Sequence, residues 1–135
     1  QNPVYLRNQI DAFATGKRKN EFMQGLVKML DERSRQAITH FYASTPVTPM
    51  IAPGPLAERG AALYAKNCAR CHQADARGAE GFPRLAGQQQ DYLRINLKRY
   101  LTQSGERLYT PMTAAVTMLG QENFEAVTQY LASLK

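Results

Sequence analysis

Cys68-Ala69-Arg70-Cys71-His72 is the stretch that decides the fold, and its two cysteines are the only ones among 135 residues. Two thiols at this C-x-x-C-H spacing can add to the two vinyl groups on one edge of a porphyrin, and the adjacent histidine can then reach the iron. The motif therefore predicts one haem c, attached covalently through Cys68 and Cys71, with His72 as a metal ligand.

Three other uses of the two cysteines compete with haem attachment. A thioredoxin-type dithiol needs a surrounding βαβ pattern, whereas the sequence patterns indicate helices. A structural zinc site needs four ligands, and the one further histidine is the distant His40. A disulfide across this short spacing would close a loop too small to stabilise much. Haem attachment is the interpretation we favour.

The composition is that of a basic globular protein. Hydrophobic residues make up 44% and charged residues 21%, which argues against a wholly disordered chain. No apolar run approaches the roughly 18–20 residues that a membrane-spanning helix needs, so no membrane span is predicted. The net charge is +6, shared equally between residues 1–44 and 45–135. A basic surface favours partners with acidic docking faces, and no nucleic-acid-binding motif is found.

Residues 56–135 resemble class I cytochromes c. A helix over residues 56–65 precedes the attachment motif, and a last helix over roughly Gln121–Leu134 places apolar residues at three- and four-residue spacings. The resemblance implies an all-α domain with the class I cytochrome c fold around one covalently bound haem. It also implies that Gly60 allows close backbone approach and that Tyr64 packs across the last helix.

The segment Gly81–Gln88 resembles that family's loop on the histidine side of the haem. The resemblance implies that the carbonyl of Pro83 accepts a hydrogen bond from the Nδ1–H of His72, and that Leu85 presses on the haem face. Such a bond would orient the ring and raise its basicity as a ligand. Without the resemblance, the segment indicates only a turn.

A helix over residues 89–102 is expected beside the haem edge. Its apolar stripe consists of Leu93, Leu97, Tyr100 and Leu101. Five further residues are candidate neighbours of the haem propionates: Tyr92, Arg94, Lys98, Arg99 and Tyr109. Because a solvated helix face also explains the charged members, both interpretations of this group stay open.

Two methionines compete to be the second axial ligand. Met112 follows Pro111 in a stretch where the family delivers its axial sulfur from an extended loop, and Leu119 follows seven residues later. Met118 is expected to be a packing residue, the usual role of a core methionine. We therefore predict His72 and Met112 as the metal ligands. A soft thioether favours Fe(II), so His/Met ligation raises the reduction potential.

The first 44 residues repeat the pattern of the C-terminal part. Tyr5-Leu6-Arg7 recurs as Tyr92-Leu93-Arg94 at an offset of 87, and Met23 falls on Met112 at an offset of 89. At the offset of 87, Ile10 and Phe13 also match Leu97 and Tyr100. At the offset of 89, the further matches are Gly16 with Gly105, Arg18 with Arg107, Val27 with Val116, Met29 with Met118, Leu30 with Leu119, Ala37 with Ala126, Thr39 with Thr128, Ala43 with Ala132 and Ser44 with Ser133. Residues 1–44 thus resemble the second half of a first cytochrome c domain. A Pro-rich linker, residues 45–55, joins it to a complete domain at residues 56–135.

This arrangement resembles periplasmic diheme cytochromes of the c-four type and the diheme subunits of sulfide-oxidising flavocytochromes. The present sequence departs from them because it does not include the haem-attaching half of the first domain. The sequence fits a fragment of a longer diheme protein, a monohaem protein with a degenerate N-terminal region, or a chain whose missing half another chain supplies. A half-domain alone leaves an apolar face uncovered. A dimer, or a partner bound through residues 1–44, is therefore expected.

These features predict a periplasmic electron-transfer cytochrome, exported with its signal peptide removed, whose His/Met-ligated haem cycles between Fe(III) and Fe(II). In this interpretation the chain is an electron carrier rather than an enzyme, and no catalytic residue is assigned. One alternative is an electron-accepting subunit of a larger oxidoreductase, of the flavocytochrome sulfide dehydrogenase or terminal oxidase type. Another is a gas sensor in which Met112 is labile.

Overall fold

The computed structural model describes residues 1–49, 51–79, 81–104 and 108–135, and these residues form helices and no strand. The α-helices are α1 (Pro3–Ala14), α2 (Glu21–Lys28), α3 (Glu32–Ser44), α4 (Ala57–Asn67), α5 (Ala69–His72), α6 (Gln90–Leu101), α7 (Thr110–Leu119) and α8 (Phe124–Ser133). A short 3-10 turn, Gln121–Asn123, leads into α8. The predicted all-α class is confirmed. Gly105 and Arg107 of the internal repeat lie outside the described residues.

The first three helices begin at polar caps. The side-chain oxygens of Asn2, Asn20 and Asp31 accept hydrogen bonds from backbone N–H groups of the first turns of α1, α2 and α3, at 3.2, 2.9 and 2.8 Å. These bonds satisfy donors that would otherwise lack an intrahelical partner. Local sequence therefore fixes where each N-terminal helix begins.

The N-terminal helices have the same order and spacing as the last helices of the chain. An offset of 87 carries the bounds of α1 onto those of α6, and an offset of 89 carries α3 onto residues 121–133. The helix α1 packs on α2 and α3, as α6 packs on α7 and α8. Val27 and Val116, matched by the repeat, are both buried, at 2% and 1% exposure. The repeat in sequence is thus also a repeat in helix arrangement.

The main core lies where α4, α6, α7 and α8 meet. Its buried members are Tyr64, Ala76, Ala86, Leu93, Leu97, Val116, Leu119, Phe124, Val127 and Leu131. At the crossing of α4 and α8, a Cβ added to Gly60 would collide with the carbonyl of Ala126 and lie 2.8 Å from the Cβ of Tyr130. The rings of Tyr64 and Tyr130 pack with their centres 5.7 Å apart. The expected close approach at Gly60 and the packing of Tyr64 are confirmed.

The chain between α3 and α4 lies against the C-terminal domain. Its described residues form neither helix nor strand. The backbone N–H of Leu56 donates to Oε1 of Gln129 at 3.3 Å, and Val47 lies beside Gly87. Within the described ranges, no helix is long and apolar enough to cross a membrane.

Replacing Gly60 by alanine is expected to destabilise the protein by about 1–3 kcal/mol, because backbone atoms of α8 would have to move. The matched control is Gly25→Ala on α2, where an added Cβ meets nothing within 4 Å. That change is expected to stabilise by about 0.5–1 kcal/mol, since a helical glycine loses more backbone entropy on folding. Denaturant unfolding of the haem-loaded variants measures both effects, and equal stabilities would contradict the close helix crossing.

Candidate haem site

The two cysteines are placed side by side by a single helical turn. The helix α4 ends at Asn67, and α5 follows it immediately. The backbone N–H groups of Cys71 and His72 both donate to the carbonyl of Cys68, at 3.2 and 3.1 Å. Residues three apart in such a turn lie on one face. Both thiols are free and half-buried, so they are available to form two thioether bonds.

Burial sets the protonation of these groups. Desolvation raises the pKa of Cys68 to about 11, with a smaller contribution from Cys71. His72 is 5% exposed, and desolvation lowers its pKa below the usual value, opposed by a hydrogen bond to Pro83. Burial therefore favours the neutral imidazole, the form in which a ring nitrogen can bind a metal.

The ring of His72 is oriented by the carbonyl of Pro83. Its Nδ1 lies 3.0 Å from that oxygen. Because a carbonyl oxygen only accepts, Nδ1 carries the proton and Nε2 keeps its lone pair. Among the described residues, Nε2 has no hydrogen-bond partner. The hydrogen bond expected from the family resemblance is confirmed.

A glycine that sequence analysis missed allows this hydrogen bond to form. Gly78 has a φ of +70°, and a Cβ there would lie 2.7 Å from both the carbonyl carbon and the oxygen of Pro83. Its N–H donates to the carbonyl of His72 at 2.9 Å. Glycine is thus required both for the left-handed backbone and for the close approach of Pro83. The signal available in the sequence was a glycine six residues after the histidine.

Two further contacts shape the chain between α5 and Ala86. The hydroxyl of Tyr64 donates to the carbonyl of Gln73 at 2.5 Å. The carbonyl of Ala76, a residue with no exposed surface, accepts from the N–H groups of Leu85 and Ala86 at 2.8 and 3.0 Å. These bonds return the chain towards α5 and hold Leu85 half-buried against the core.

Met112 lies in a helix rather than in the expected extended loop. It is the third residue of α7, and its N–H and that of Thr113 both donate to the carbonyl of Tyr109 at 3.0 Å. Pro111 explains the difference, because its fixed φ suits the first turn of a helix. Met112 is half-buried against the core.

The expectation that Met118 is a packing residue is wrong, because its side chain is 78% exposed. Along α7, Met112, Val116 and Leu119 follow an i, i+4, i+7 spacing and form the face towards the core. Met118 falls outside that spacing. Of the two methionines, the fold brings Met112 into the apolar cluster that also contains Cys68.

The apolar stripe on α6 packs on the core, as its spacing predicts, whereas Tyr92 lies beside the N-terminal region. Leu93 and Leu97 are buried in the core, and Tyr100 and Leu101 are half-buried against it. Tyr92 is 45% exposed and lines a groove of about 350 Å³ with residues of the N-terminal region, among them Tyr5 and Tyr42. It directly precedes Leu93, so it is rotated away from the face of α6 that packs on the core.

The charged candidates for propionate contacts lie on the surface. Arg94 forms ion pairs with Asp91 at 2.6 Å and with Glu125 at 2.8 Å. Lys98 and Arg99 are exposed, as is Tyr109 at the start of α7. For Arg94, the structure favours the solvated helix face over a propionate contact.

The donor set fits haem c better than the alternatives. Two free thiols, an imidazole nitrogen without a partner and a half-buried thioether are the groups that a c-type haem requires. In the part of the chain that the structure describes, no group of three or more His, Cys, Asp or Glu side chains could hold a metal ion. The zinc interpretation therefore lacks its ligands there, and the thioredoxin interpretation lacks its strands.

Fold and site together define an all-helical haem protein of the c type. The cytochrome c family matches residues 57–135, and the chain belongs to that family. With its cysteines in C-x-x-C-H spacing, the chain carries one covalently attached haem c.

Two relatives and one solved structure show where the similarity lies. A thiosulfate dehydrogenase electron acceptor of Thiomonas intermedia (strain K12) is 32% identical over 143 residues, which cover 96% of this chain and 65% of that protein. Cytochrome c4 of Thiocapsa roseopersicina is 29% identical over 148 residues, covering 99% of this chain and 76% of the relative. The structure of cytochrome c4 from Acidithiobacillus ferrooxidans has the same fold, with a TM-score of 0.84 at 24% identity, covering 98% of this chain and 84% of that chain.

Proposed function

We propose that this chain is a periplasmic electron-transfer cytochrome c in which His72 and Met112 ligate the haem iron. Bound haem c supplies a one-electron Fe(III)/Fe(II) couple. The observation that carries the proposal is the buried imidazole of His72, whose Nδ1 lies 3.0 Å from the Pro83 carbonyl oxygen and whose Nε2 has no hydrogen-bond partner among the described residues. With His72 and Met112 both holding the iron, the site would exchange electrons and would leave no place for a substrate at the metal.

Each part of the site has a task in this proposal. Cys68 and Cys71 hold the cofactor covalently, and the Pro83 carbonyl fixes the direction of the His72 ring. The thioether of Met112 and the apolar cluster around it favour the reduced iron, because a soft ligand and a low dielectric both disfavour the higher charge. Leu85 is half-buried against the same cluster, where it would shield the haem face from water.

Replacing Met112 by alanine is expected to abolish the weak far-red ligand-to-iron absorption band and to lower the reduction potential, since the soft ligand is lost. The matched control is Met118→Ala, six residues along the same helix and 78% exposed. That variant is expected to keep both the band and the potential. Optical spectra and a redox titration measure the two effects. Survival of the band in Met112→Ala would contradict the assignment.

A second candidate function is that of electron acceptor for a dehydrogenase on another polypeptide. The name of the Thiomonas intermedia relative supports it, as does the similarity over 96% of this chain. The chain spans 65% of that protein, so its activity and partners are carried over here as part of the proposal. Both candidate functions use the same haem and the same iron ligands, and they differ in the protein that donates the electron.

The charge of the protein supports docking to acidic partners. The net charge is +6, and each of the ranges 1–44 and 45–135 carries an excess of three basic residues. A distributed positive charge attracts acidic surfaces and speeds encounter at low salt. We propose that such partners dock near the haem edge at the attachment motif, through the small interfaces typical of redox encounters.

Electron transfer to an anionic iron cyanide complex is expected to slow as salt is added, because screening weakens attraction to a basic protein. A cationic cobalt complex provides the matched control, and its rate is expected to rise with salt. Stopped-flow kinetics over a range of ionic strengths measures both. Rates that do not depend on salt for either reagent would contradict electrostatic steering.

We also propose that residues 1–44 form the second half of a cytochrome c domain. The matching bounds of α1 with α6, and of α3 with residues 121–133, support this assignment. In the C-terminal part α4 covers α8, and Gly60 lies against Ala126 and Tyr130. The counterparts of those two residues on α3 are Ala37 and Phe41, both exposed. A helix similar to α4 would cover this face.

The haem-loaded protein is expected to self-associate through the uncovered face of α3. Phe41 is 64% exposed, and burying such a ring is favourable. The variant Phe41→Asp is expected to weaken association. The matched control is Met118→Asp, which also replaces an exposed apolar side chain but lies on α7, and it is expected to leave association unaltered. Sedimentation from micromolar to millimolar concentration measures the association. A strict monomer over that whole range would contradict this expectation.

A further inference from the structure

The side chain of Gln1 pairs with the backbone of Arg84, the residue that follows Pro83. Its Oε1 accepts from the N–H of Arg84 at 2.6 Å, and its Nε2 donates to the carbonyl of Arg84 at 3.0 Å. The same Oε1 also accepts from the N–H of Asn2 at 2.9 Å. Since Oε1 meets only donors and Nε2 meets an acceptor, the hydrogen bonds fix the orientation of the amide.

A second contact shows that α1 lies against this loop. A Cβ added to Gly81 would lie 3.2 Å from Nδ2 of Asn8 and 3.8 Å from the nearest methyl of Val4. The N-terminal region thus approaches the loop at two places, through α1 at Gly81 and through Gln1 at Arg84. The pairing with Gln1 is one part of a larger contact between residues separated by more than seventy positions.

The N–H that donates to Gln1 and the carbonyl that orients His72 belong to the same peptide group. The group is the peptide bond between Pro83 and Arg84. Its oxygen lies 3.0 Å from Nδ1 of His72, and its N–H lies 2.6 Å from Oε1 of Gln1. An unbroken chain of hydrogen bonds therefore runs from the Gln1 amide through one peptide group to the imidazole.

Hydrogen bonds in such a chain strengthen one another. An acceptor at the N–H of a peptide group shifts electron density towards its carbonyl oxygen, which then accepts more strongly. A stronger bond from Nδ1–H raises the basicity of the imidazole and its power to donate electrons to a metal. A more strongly donating ligand stabilises the oxidised iron.

We propose that Gln1 is a positioning residue that tunes the haem potential by polarising the Pro83–Arg84 peptide group against His72. This inference rests on the proposed ligation of iron by His72. It assigns the N-terminal region a role at the haem of the C-terminal domain. In the folded chain, Gln1 lowers the potential relative to a protein without this pairing.

Two substitutions at Gln1 are expected to shift the potential in opposite directions. Gln1→Met keeps the length of the side chain and removes the acceptor, so the potential rises and the Fe(II)/Fe(III) ratio at a fixed solution potential increases about twofold. Gln1→Glu keeps an acceptor oxygen and gives it a charge, so the potential falls. Redox titration of the haem-loaded variants measures both shifts.

Proton resonances distinguish polarisation from a merely structural role. In the reduced, diamagnetic protein, the Nδ1–H of His72 is expected to move upfield in Gln1→Met and downfield in Gln1→Glu, following the strength of its hydrogen bond. Gln36→Met and Gln36→Glu are the matched controls. Gln36 lies on α3, and its side-chain amide bonds to Glu32 at 3.3 Å. Neither control is expected to move this resonance.

Shifts at Gln1 no larger than those at Gln36, or shifts of the same sign in both Gln1 variants, would overturn the inference. If Gln1→Met does not accumulate, a potential in Gln1→Glu that is no lower than in Gln36→Glu overturns it equally. Failure of the proposed function is recognised separately, since the unaltered protein would then lack the spectrum of a low-spin haem with a histidine ligand.

Discussion

The hydrogen bond between Nδ1–H of His72 and the carbonyl of Pro83 joins the attachment motif to the loop that follows it, and much of the local structure serves to make it possible. Gly78 leaves room for the Pro83 backbone, and the carbonyl of Ala76 gathers the N–H groups of Leu85 and Ala86. The bond also decides the chemistry of the ring, since it places the proton on Nδ1 and leaves the lone pair on Nε2, as the proposed ligation of iron requires. A buried imidazole without such a partner could turn, and the direction of its lone pair would be lost.

The core around this site depends on one close helix crossing. The helix α4 leads directly into the one-turn helix α5, so the position of α4 on α8 also places the two cysteines. Gly60 at that crossing brings the two backbones together, and Tyr64 extends the same contact from its ring to the carbonyl of Gln73. The packing at the crossing of α4 and α8 and the geometry of the attachment motif are therefore parts of one arrangement.

The N-terminal region has the helix order of α6–α8, and no helix of residues 1–44 packs on α3 as α4 packs on α8. Its own helices are well capped, and Val27 is buried as deeply as its counterpart Val116. On the face of α3 that corresponds to the buried face of α8, Ala37 and Phe41 are exposed. The region meets the C-terminal domain instead through Gln1 and α1, beside the loop that orients His72.

The sequence by itself determined the cofactor class, the helical fold and most helix positions, because these depend on local features. The C-x-x-C-H spacing is complete within five residues, and the periodicity of α6 and α8 shows which of their faces is buried. Asn and Asp caps mark where the N-terminal helices begin. The role of Gly60 and the His72–Pro83 bond were also predicted, in both instances from resemblance to a family with the same motif.

Tertiary structure decided which way several of the predicted side chains point. Met112 and Met118 lie on the same helix, and the way α7 packs turns Met112 towards the core and leaves Met118 in solvent. Tyr92 is the residue before Leu93 on α6, and adjacent residues of a helix point in different directions. Leu93 therefore faces the core, while Tyr92 lines the groove formed with the N-terminal region. Gln1 and Arg84 are 83 residues apart, and no local pattern relates them. Contacts between distant segments depend on how the helices pack, and a sequence pattern within one helix does not contain that information.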